Sequence, residues 1–205
     1  MTRLILIRHG ETKVNKVGKL HHFNATEILT KKGVIQMDAT ALALEKYNPQ
    51  IIYCSPELRA KESAEILSEK LKIPLKSLFG LEERDWGDFS GESWLEVETV
   101  LKGMSLEERY SYVPPSGESW KDTEDRLIET VLKIIQQNKN KTVIIVSHGG
   151  AIRILMPYLL NLPREESFRH NPDNASITVF DCENGKFIKR LLNDTTHLDK
   201  LSDTF

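Results

Sequence analysis

Leu4-Ile-Leu-Ile7, followed at once by Arg8-His9-Gly10-Glu11-Thr12, is the stretch that decides the fold. Four apolar residues without polar alternation read as a strand buried on both faces, as in parallel sheets covered by helices. The abrupt change to charged and small residues marks the strand's carboxyl end, where open α/β sheets hold their ligands. Two further runs repeat the arrangement. Ile51-Ile-Tyr-Cys54 leads into Ser55-Pro56-Glu57-Leu58-Arg59, and Val143-Ile-Ile-Val146 leads into Ser147-His148-Gly149-Gly150.

Amphipathic stretches fill the intervals. Val34, Met37, Ala41 and Leu44 recur at helical spacing after Thr30, and Leu58, Ile66 and Leu71 suit a helix starting near Pro56. Ser119-Trp-Lys-Asp122 is a capping pattern, and Leu127, Val131, Ile134 and Ile135 behind it form an apolar stripe. Toward the end, Ser176–Phe180 alternates, Glu183-Asn184-Gly185 supplies turn chemistry, and Phe187–Leu192 returns as a hairpin partner. The class is therefore α/β: three layers, α/β/α, with a mainly parallel central sheet and an antiparallel edge strand near the C-terminus. With 205 residues, 40% of them hydrophobic, the chain can bury one sizeable core. Residues 1–205 are expected to form one domain. Two segments are irregular: 14–29, which carries His21 and His22, and about 91–117, which reads as a cap-like insertion of short helices and loop with Trp94, Tyr110, Tyr112, Pro114 and Pro115.

Lys and Arg total 28 against 30 for Asp and Glu, a net charge of −2, which gives no long-range field for nucleic acid or an anionic membrane. Any affinity for anions must be local. The apolar run Leu4–Ile7 is too short for a signal-peptide core or a membrane span, so a cytoplasmic protein is expected. Cys54 and Cys182 lie in apolar runs and read as buried free thiols. With no Cys-x-x-Cys or His-Glu-x-x-His pattern, neither a metal nor a cofactor is expected. The oligomeric state is left open, a homodimer included.

Two histidines and two arginines from three strand ends can meet at one point. Arginine presents a planar, permanently charged fork that matches phosphate oxygens, so Arg8 and Arg59 suit a phosphoryl group. A neutral imidazole attacks phosphorus, and a protonated one donates to the equatorial oxygens, so attack and stabilisation fall to two different histidines. The Gly149 amide at a helix start lets an anion approach closely. A leaving alkoxide needs a proton, for which Glu82, Glu83 and Asp85 are candidates. Taken singly, each of these residues has an ordinary structural reading as a strand-end, helix-surface or core side chain. Their threefold placement after apolar strands argues for a shared site.

Leu6-Ile-Arg-His-Gly-Glu-Thr12 with Asn15, Ser55-Pro-x-x-Arg59-Ala60, Val146-Ser-His-Gly149, Glu83 with Trp86-Gly87-x-Phe89-x-Gly91, and Pro115-Ser-Gly-Glu-Ser119 together resemble the histidine phosphatase (phosphoglycerate mutase-like) superfamily. The resemblance implies a metal-independent phosphomonoester hydrolase acting on a small phosphorylated metabolite. It implies that His9 is phosphorylated, that Arg8, Arg59 and His148 bind the phosphoryl group, and that Glu83 serves as acid and then base. Asn15, Thr12 and the Gly149 amide would be auxiliary phosphate contacts. Two departures stand out. His21-His22-Phe23 replaces a Gln-Gly pair common in the family, with its role left open between substrate contact and exposed loop. Only 25 residues separate Gly91 from Gly117, which lacks the long insertion of cofactor-dependent mutases. The short connection favours the small phosphatase branch, similar to alpha-ribazole and broad-specificity phosphatases, over a cofactor-dependent phosphoglycerate mutase. A non-catalytic phosphate-binding module ranks last.

Overall fold

The computed structural model describes residues 1–22 and 26–199. In chain order the elements are β1 (Thr2–Arg8), α1 (Lys13–Lys16), α2 (Lys31–Leu44), β2 (Ile51–Cys54), α3 (Leu58–Leu71), β3 (Leu75–Ser77), α4 (Trp94–Leu101), α5 (Leu106–Ser111), α6 (Trp120–Gln137), β4 (Thr142–Ser147), α7 (Gly149–Leu160), β5 (Ile177–Glu183) and β6 (Lys186–Asp194). One sheet runs β3-β2-β4-β1-β5-β6. β1 is parallel to β4, β4 to β2 and β2 to β3, whereas β5 and β6 are antiparallel.

Successive side chains of a strand face opposite layers, and both layers are apolar. Leu4 and Leu6 pack with Val143, Ile145 and the inner faces of α6 and α7. Ile5 and Ile7 pack with Ile144, Val146 and the inner faces of α2 and α3. The expected three-layer order follows, and the C-terminal hairpin forms the antiparallel edge. Ser119 caps α6 by accepting from the Asp122 amide, as the sequence pattern required.

Two features of the sheet were not legible in advance. β3 is three residues long with only Leu75 apolar, too short to leave a periodicity. β5 is buried on both faces despite its polar residues, because each polar group has a partner inside. Thr178 Oγ1 accepts from the Asn193 amide, and Asp181 is held by Arg3 Nε at 2.8 Å and Arg190 Nε at 2.7 Å. Those hydrogen bonds, that from Arg3 first, outweigh burial and keep the Asp181 carboxyl below its ordinary range.

The loop after β1 is fixed by backbone against backbone. Glu11 O accepts from the Thr30 amide, Glu11 N donates to Gln36, and Thr30 Oγ1 donates to Glu11 Oε1. A Cβ on Gly10 would lie 2.6 Å from the Gly33 carbonyl oxygen, and one on Gly33 would meet the Glu11 backbone, including its amide nitrogen at 2.9 Å. Helix α2 thus abuts the segment that carries His9. Helix propensity alone has Gly33→Ala stabilising by up to ~1 kcal/mol. The contact reverses the sign, and we expect a loss of about 1–3 kcal/mol from overpacking. Urea denaturation reads this as a lower midpoint, and an unchanged or higher midpoint contradicts the packing argument.

Candidate active site

Arg8 is opposite Ser147 and Cys54 opposite Val146 in the parallel registers, so the polar segments after β1, β4 and β2 emerge side by side at one edge. His9, Arg59 and His148 are buried there, at 1%, 0% and 0% exposure. The His9 ring stands 5.3 Å from His148 and 5.7 Å edge-on from His21, centroid to centroid. The structure brings the two histidines and two arginines of the sequence reading together.

His9 Nδ1 lies 2.8 Å from the Gly10 carbonyl oxygen. A carbonyl only accepts, so Nδ1 carries the hydrogen and Nε2 keeps a lone pair. Burial, followed by the charges of Arg59, His148 and Arg8, pushes the His9 pKa well below its ordinary value. The ring is a neutral imidazole in a defined tautomer. Around it, Arg8 donates from Nη1 to the Pro172 carbonyl at 2.7 Å, and Arg59 donates from Nη2 to Glu57 at 2.9 Å. Arg8 Nε, Arg59 Nε and Nη1, and His148 Nδ1 are buried without any partner. Buried donors are matched almost without exception, so the three guanidinium nitrogens, with His148 Nδ1 and Glu57 Oε1 also unmatched beside them, describe a site shaped for an oxyanion.

Glu57 is the residue that sequence reasoning passed over. Its Oε2 accepts from Arg59 and lies 2.6 Å from His148 Nε2, an ion-pair distance although the angle departs from that of a well-formed hydrogen bond. Burial would raise its pKa, but His148 and Arg59 outweigh that and bring it down to about 2. Its carboxylate therefore stays ionised and balances part of the local positive charge. Within Ser55-Pro56-Glu57-Leu58-Arg59 nothing distinguishes it from a first-turn helix acid, because its partner His148 is distant in sequence.

The three candidate acids separate clearly. Glu82 Oε2 accepts from the Gly80 amide and Asp85 Oδ1 from the Gly87 amide, each closing its own turn. Glu83 instead reaches α7, where Oε2 accepts from the Gly150 amide at 2.8 Å. Arg126 of α6 fixes that segment by donating to the Glu82 and Glu83 carbonyls while pairing with Glu118. Gly149 and Gly150 have a steric function as well. A Cβ on Gly149 would sit 3.2 Å from the Arg8 guanidinium, and one on Gly150 2.5 Å from Glu83 Oε1.

Thr12 and Asn15 lie in the same loop but are committed to each other: they form the capping box of α1, and Asn15 Oδ1 also accepts from Asn174. Asn174, which sequence reasoning did not place in the site, donates to the His9 carbonyl at 3.0 Å and so ties the loop to the segment before β5. His21 joins the site through Thr12 Oγ1 at 3.0 Å, with its pKa lowered to about 3 by burial and then by Arg59 and His148. His22 is exposed, with its Nε2 2.7 Å from where a Cβ on Gly91 would lie, and Phe23 lies outside the described residues. Among the described residues no group of three or more His, Cys, Asp or Glu side chains is arranged to hold a metal ion, and both cysteines are buried free thiols. A groove of about 910 Å³ between α5, α7 and β6 is lined by none of these groups.

The model of the histidine phosphatase superfamily (branch 1) matches residues 4–195, and the chain belongs to that family. It is 36% identical over 161 residues to "Uncharacterized phosphatase PhoE" of Bacillus subtilis, covering 76% of each chain. It is 28% identical to "Putative phosphoserine phosphatase 2" of Hydrogenobacter thermophilus over 98% of this chain and all of that one. The solved structure of "Bacillus stearothermophilus YhfR" superposes with a TM-score of 0.86 at 28% identity, covering 97% of this chain and all of that one. Among the described residues no helix is long and apolar enough to cross a membrane.

Two outcomes follow from the geometry. Glu57→Ala leaves Arg59 as an uncompensated buried charge, and we expect a loss of about 3–5 kcal/mol in urea unfolding; a loss under ~1 kcal/mol contradicts the pairing. His9 and His21 are held neutral below their ordinary value of 6.5, so the unfolded chain binds more protons than the folded one as pH drops through that value. Stability should therefore be complete above pH 6.5 and decline below it, with Glu57 adding only under its ordinary 4.5. Urea midpoints at pH 7.5 and 5.5 check the sign, and a higher midpoint at pH 5.5 would refute it.

Proposed function

We propose that the chain hydrolyses small phosphate monoesters through a phosphohistidine at His9, with residues 1–205 acting as one catalytic domain and 91–117 as its cap. The observation that carries this reading is the set of unmatched buried guanidinium donors on Arg8 and Arg59, with the unmatched His148 ring, around a neutral imidazole whose Nε2 is free. A bound phosphoryl group satisfies those donors and places phosphorus beside Nε2. The phosphatase relatives, one of them called a phosphoserine phosphatase, support a small phosphorylated metabolite as substrate.

Catalysis proceeds in two displacements. His9 Nε2 attacks phosphorus in line with the ester oxygen, the P–O bond breaks, and Glu83 gives its proton to the departing alkoxide. Arg8, Arg59 and His148 hold the equatorial oxygens as charge redistributes, and the Gly149 amide at the start of α7 adds a donor. Water then attacks the phosphohistidine, Glu83 takes its proton, and the N–P bond breaks to release phosphate and restore His9. Thr12 and Asn15 act through the loop they brace.

His9→Ala should abolish turnover, and substantial residual phosphatase activity would end the proposal. Exhaustive chelation should leave activity intact, since two arginines and His148 supply the positive charge at phosphorus; loss restored by a divalent metal argues the other way. Glu83→Gln should slow alkyl phosphates by about 10²–10⁴-fold, the usual worth of general acid–base catalysis, and p-nitrophenyl phosphate far less, because a phenolate leaves without a proton. Equal losses on both substrates would remove Glu83 from the acid role, and the leaving-group pattern appearing in Glu82→Gln instead would reassign it.

A further inference from the structure

The backbone that carries His9 has a further set of supports, and one of them comes from the segment after β6. Ala175, just before β5, is fully buried and left-handed, with φ +59°. A residue other than glycine keeps that conformation only where its surroundings over-determine it. Both of its peptide groups are committed here. The Ala175 amide donates to the Arg8 carbonyl at 3.0 Å and the His9 carbonyl at 3.2 Å, and its carbonyl accepts from Thr40 Oγ1 of α2 at 3.3 Å. Beside it, Asn174 Nδ2 donates to the His9 carbonyl at 3.0 Å and the Gly10 carbonyl at 3.3 Å. The Gly10 carbonyl is the group that fixes the His9 tautomer, so this turn holds the acceptor that orients the ring.

At Thr40, α2, the Asn174–Ala175 turn and the segment after β6 meet. The Thr40 hydroxyl is fully buried and has a single hydrogen, which goes to the Gln36 carbonyl at 2.8 Å and, at longer range, to that of Ala175. His197 Nε2 lies 3.0 Å from the same oxygen. Both carbonyls only accept, so the hydroxyl's hydrogen is spent on them and His197 Nε2 is the donor to Oγ1. Burial outweighs the nearby Asp194 carboxylate and holds the His197 pKa below its ordinary value, which keeps the ring neutral.

His197 is itself held in place. The Leu198 amide closes a turn by donating to the Thr195 carbonyl at 2.8 Å, Thr196 Oγ1 donates to Asp194 at 3.0 Å, and Leu198 packs on the apolar layer of α2 and α3. The residue stands two positions past 195, where the match to the family model ends. One helical turn before Thr40, the Gln36 side chain accepts from the Glu11 amide. The same turn of α2 therefore supports the His9 loop twice, once directly and once through Ala175.

We infer that His197 is a positioning residue for the reaction at His9: it donates to Thr40, and through Thr40 and the left-handed Ala175 it steadies the Gly10 carbonyl that orients the attacking ring. The inference rests on the phosphohistidine reading of His9. Binding of the phosphoryl group belongs to Arg8, Arg59 and His148, so the loss of this support falls on the attack and leaves affinity in place.

The test compares the purified full chain with His197→Ala, His197→Gln, His197→Asn and Thr40→Val on p-nitrophenyl phosphate. A glutamine places an amide N–H where Nε2 stands and an asparagine only where Nδ1 stands, so the pair separates the hydrogen bond from the filling of space. We expect kcat to fall by about 10- to 100-fold in the Ala, Asn and Val variants with KM within about twofold, and to return to within about threefold of wild type in His197→Gln. Nitrogen NMR signals of the His9 ring, assigned by their loss in His9→Ala, should report Nδ1–H in the wild type and in His197→Gln, and a mixture of tautomers in His197→Ala. An unchanged kcat in folded His197→Ala, a loss carried mainly by KM, or an equal loss in His197→Gln overturns the positioning role. If His197→Ala does not fold, the Gln and Asn variants decide, and equal kcat in the two overturns it. A wild type without turnover refutes the phosphohistidine reading, and the NMR comparison then decides by itself whether His197 fixes the ring.

Discussion

The rest of the structure depends on placing the guanidinium of Arg59 in the interior without satisfying it. A charge moved out of water is costly unless it is paired and hydrogen-bonded, yet Arg59 has one carboxylate partner and two free nitrogens, beside Arg8 with another. The fold tolerates this by surrounding the site with fixed acceptors. Glu57 balances part of the charge, the Pro172 carbonyl holds Arg8, and Glu83 contributes a field that favours the Arg8 charge against burial. The residual positive charge is what a phosphoryl dianion would neutralise. The same field, with burial, keeps His9 unprotonated, so on the proposed mechanism one arrangement would both attract the substrate and maintain the lone pair that attacks it.

Positioning falls to backbone contacts that a side chain would prevent. Gly10 against Gly33 sets the loop after β1, and Gly149 and Gly150 let Arg8 and Glu83 approach the start of α7. Ser63 of α3 accepts from the Gly10 amide and donates to the Arg59 carbonyl, joining the segments after β1 and β2 through one hydroxyl. Arg126 does the same for the Glu83 segment from α6. Each link joins segments from different layers, so the rigidity of the site comes from the three-layer core beneath it.

What the sequence made legible follows from distance along the chain. Leu4–Ile7 and Val143–Val146 announced buried parallel strands, and the residues after them announced a site, because strand and strand end are contiguous. Thr30 and Ser119 foretold their helix starts for the same reason. Glu57, Asn174 and Arg126 left no such trace: each acts on a group far away in sequence, and a lone Glu, Asn or Arg has many solvated alternatives. Thr12 and Asn15 were read from the resemblance as auxiliary phosphate contacts, and local spacing could not show that Thr12 Oγ1 also donates to Asn15 Oδ1. The choice of Glu83 among three acids came from motif spacing, which could not show its contact with Gly150 on another layer.

The central claim is that phosphorus is carried on His9 Nε2 between the two displacements. Rapid acid-free quenching of a single turnover with substrate labelled in its phosphoryl group tests it directly. The account predicts a protein-bound label that is stable to base, lost in acid as phosphoramidates are, and mapped to the peptide containing His9. Label on His148 or His21, or turnover fast enough to be chemically competent with no label on the protein at any time, would contradict it.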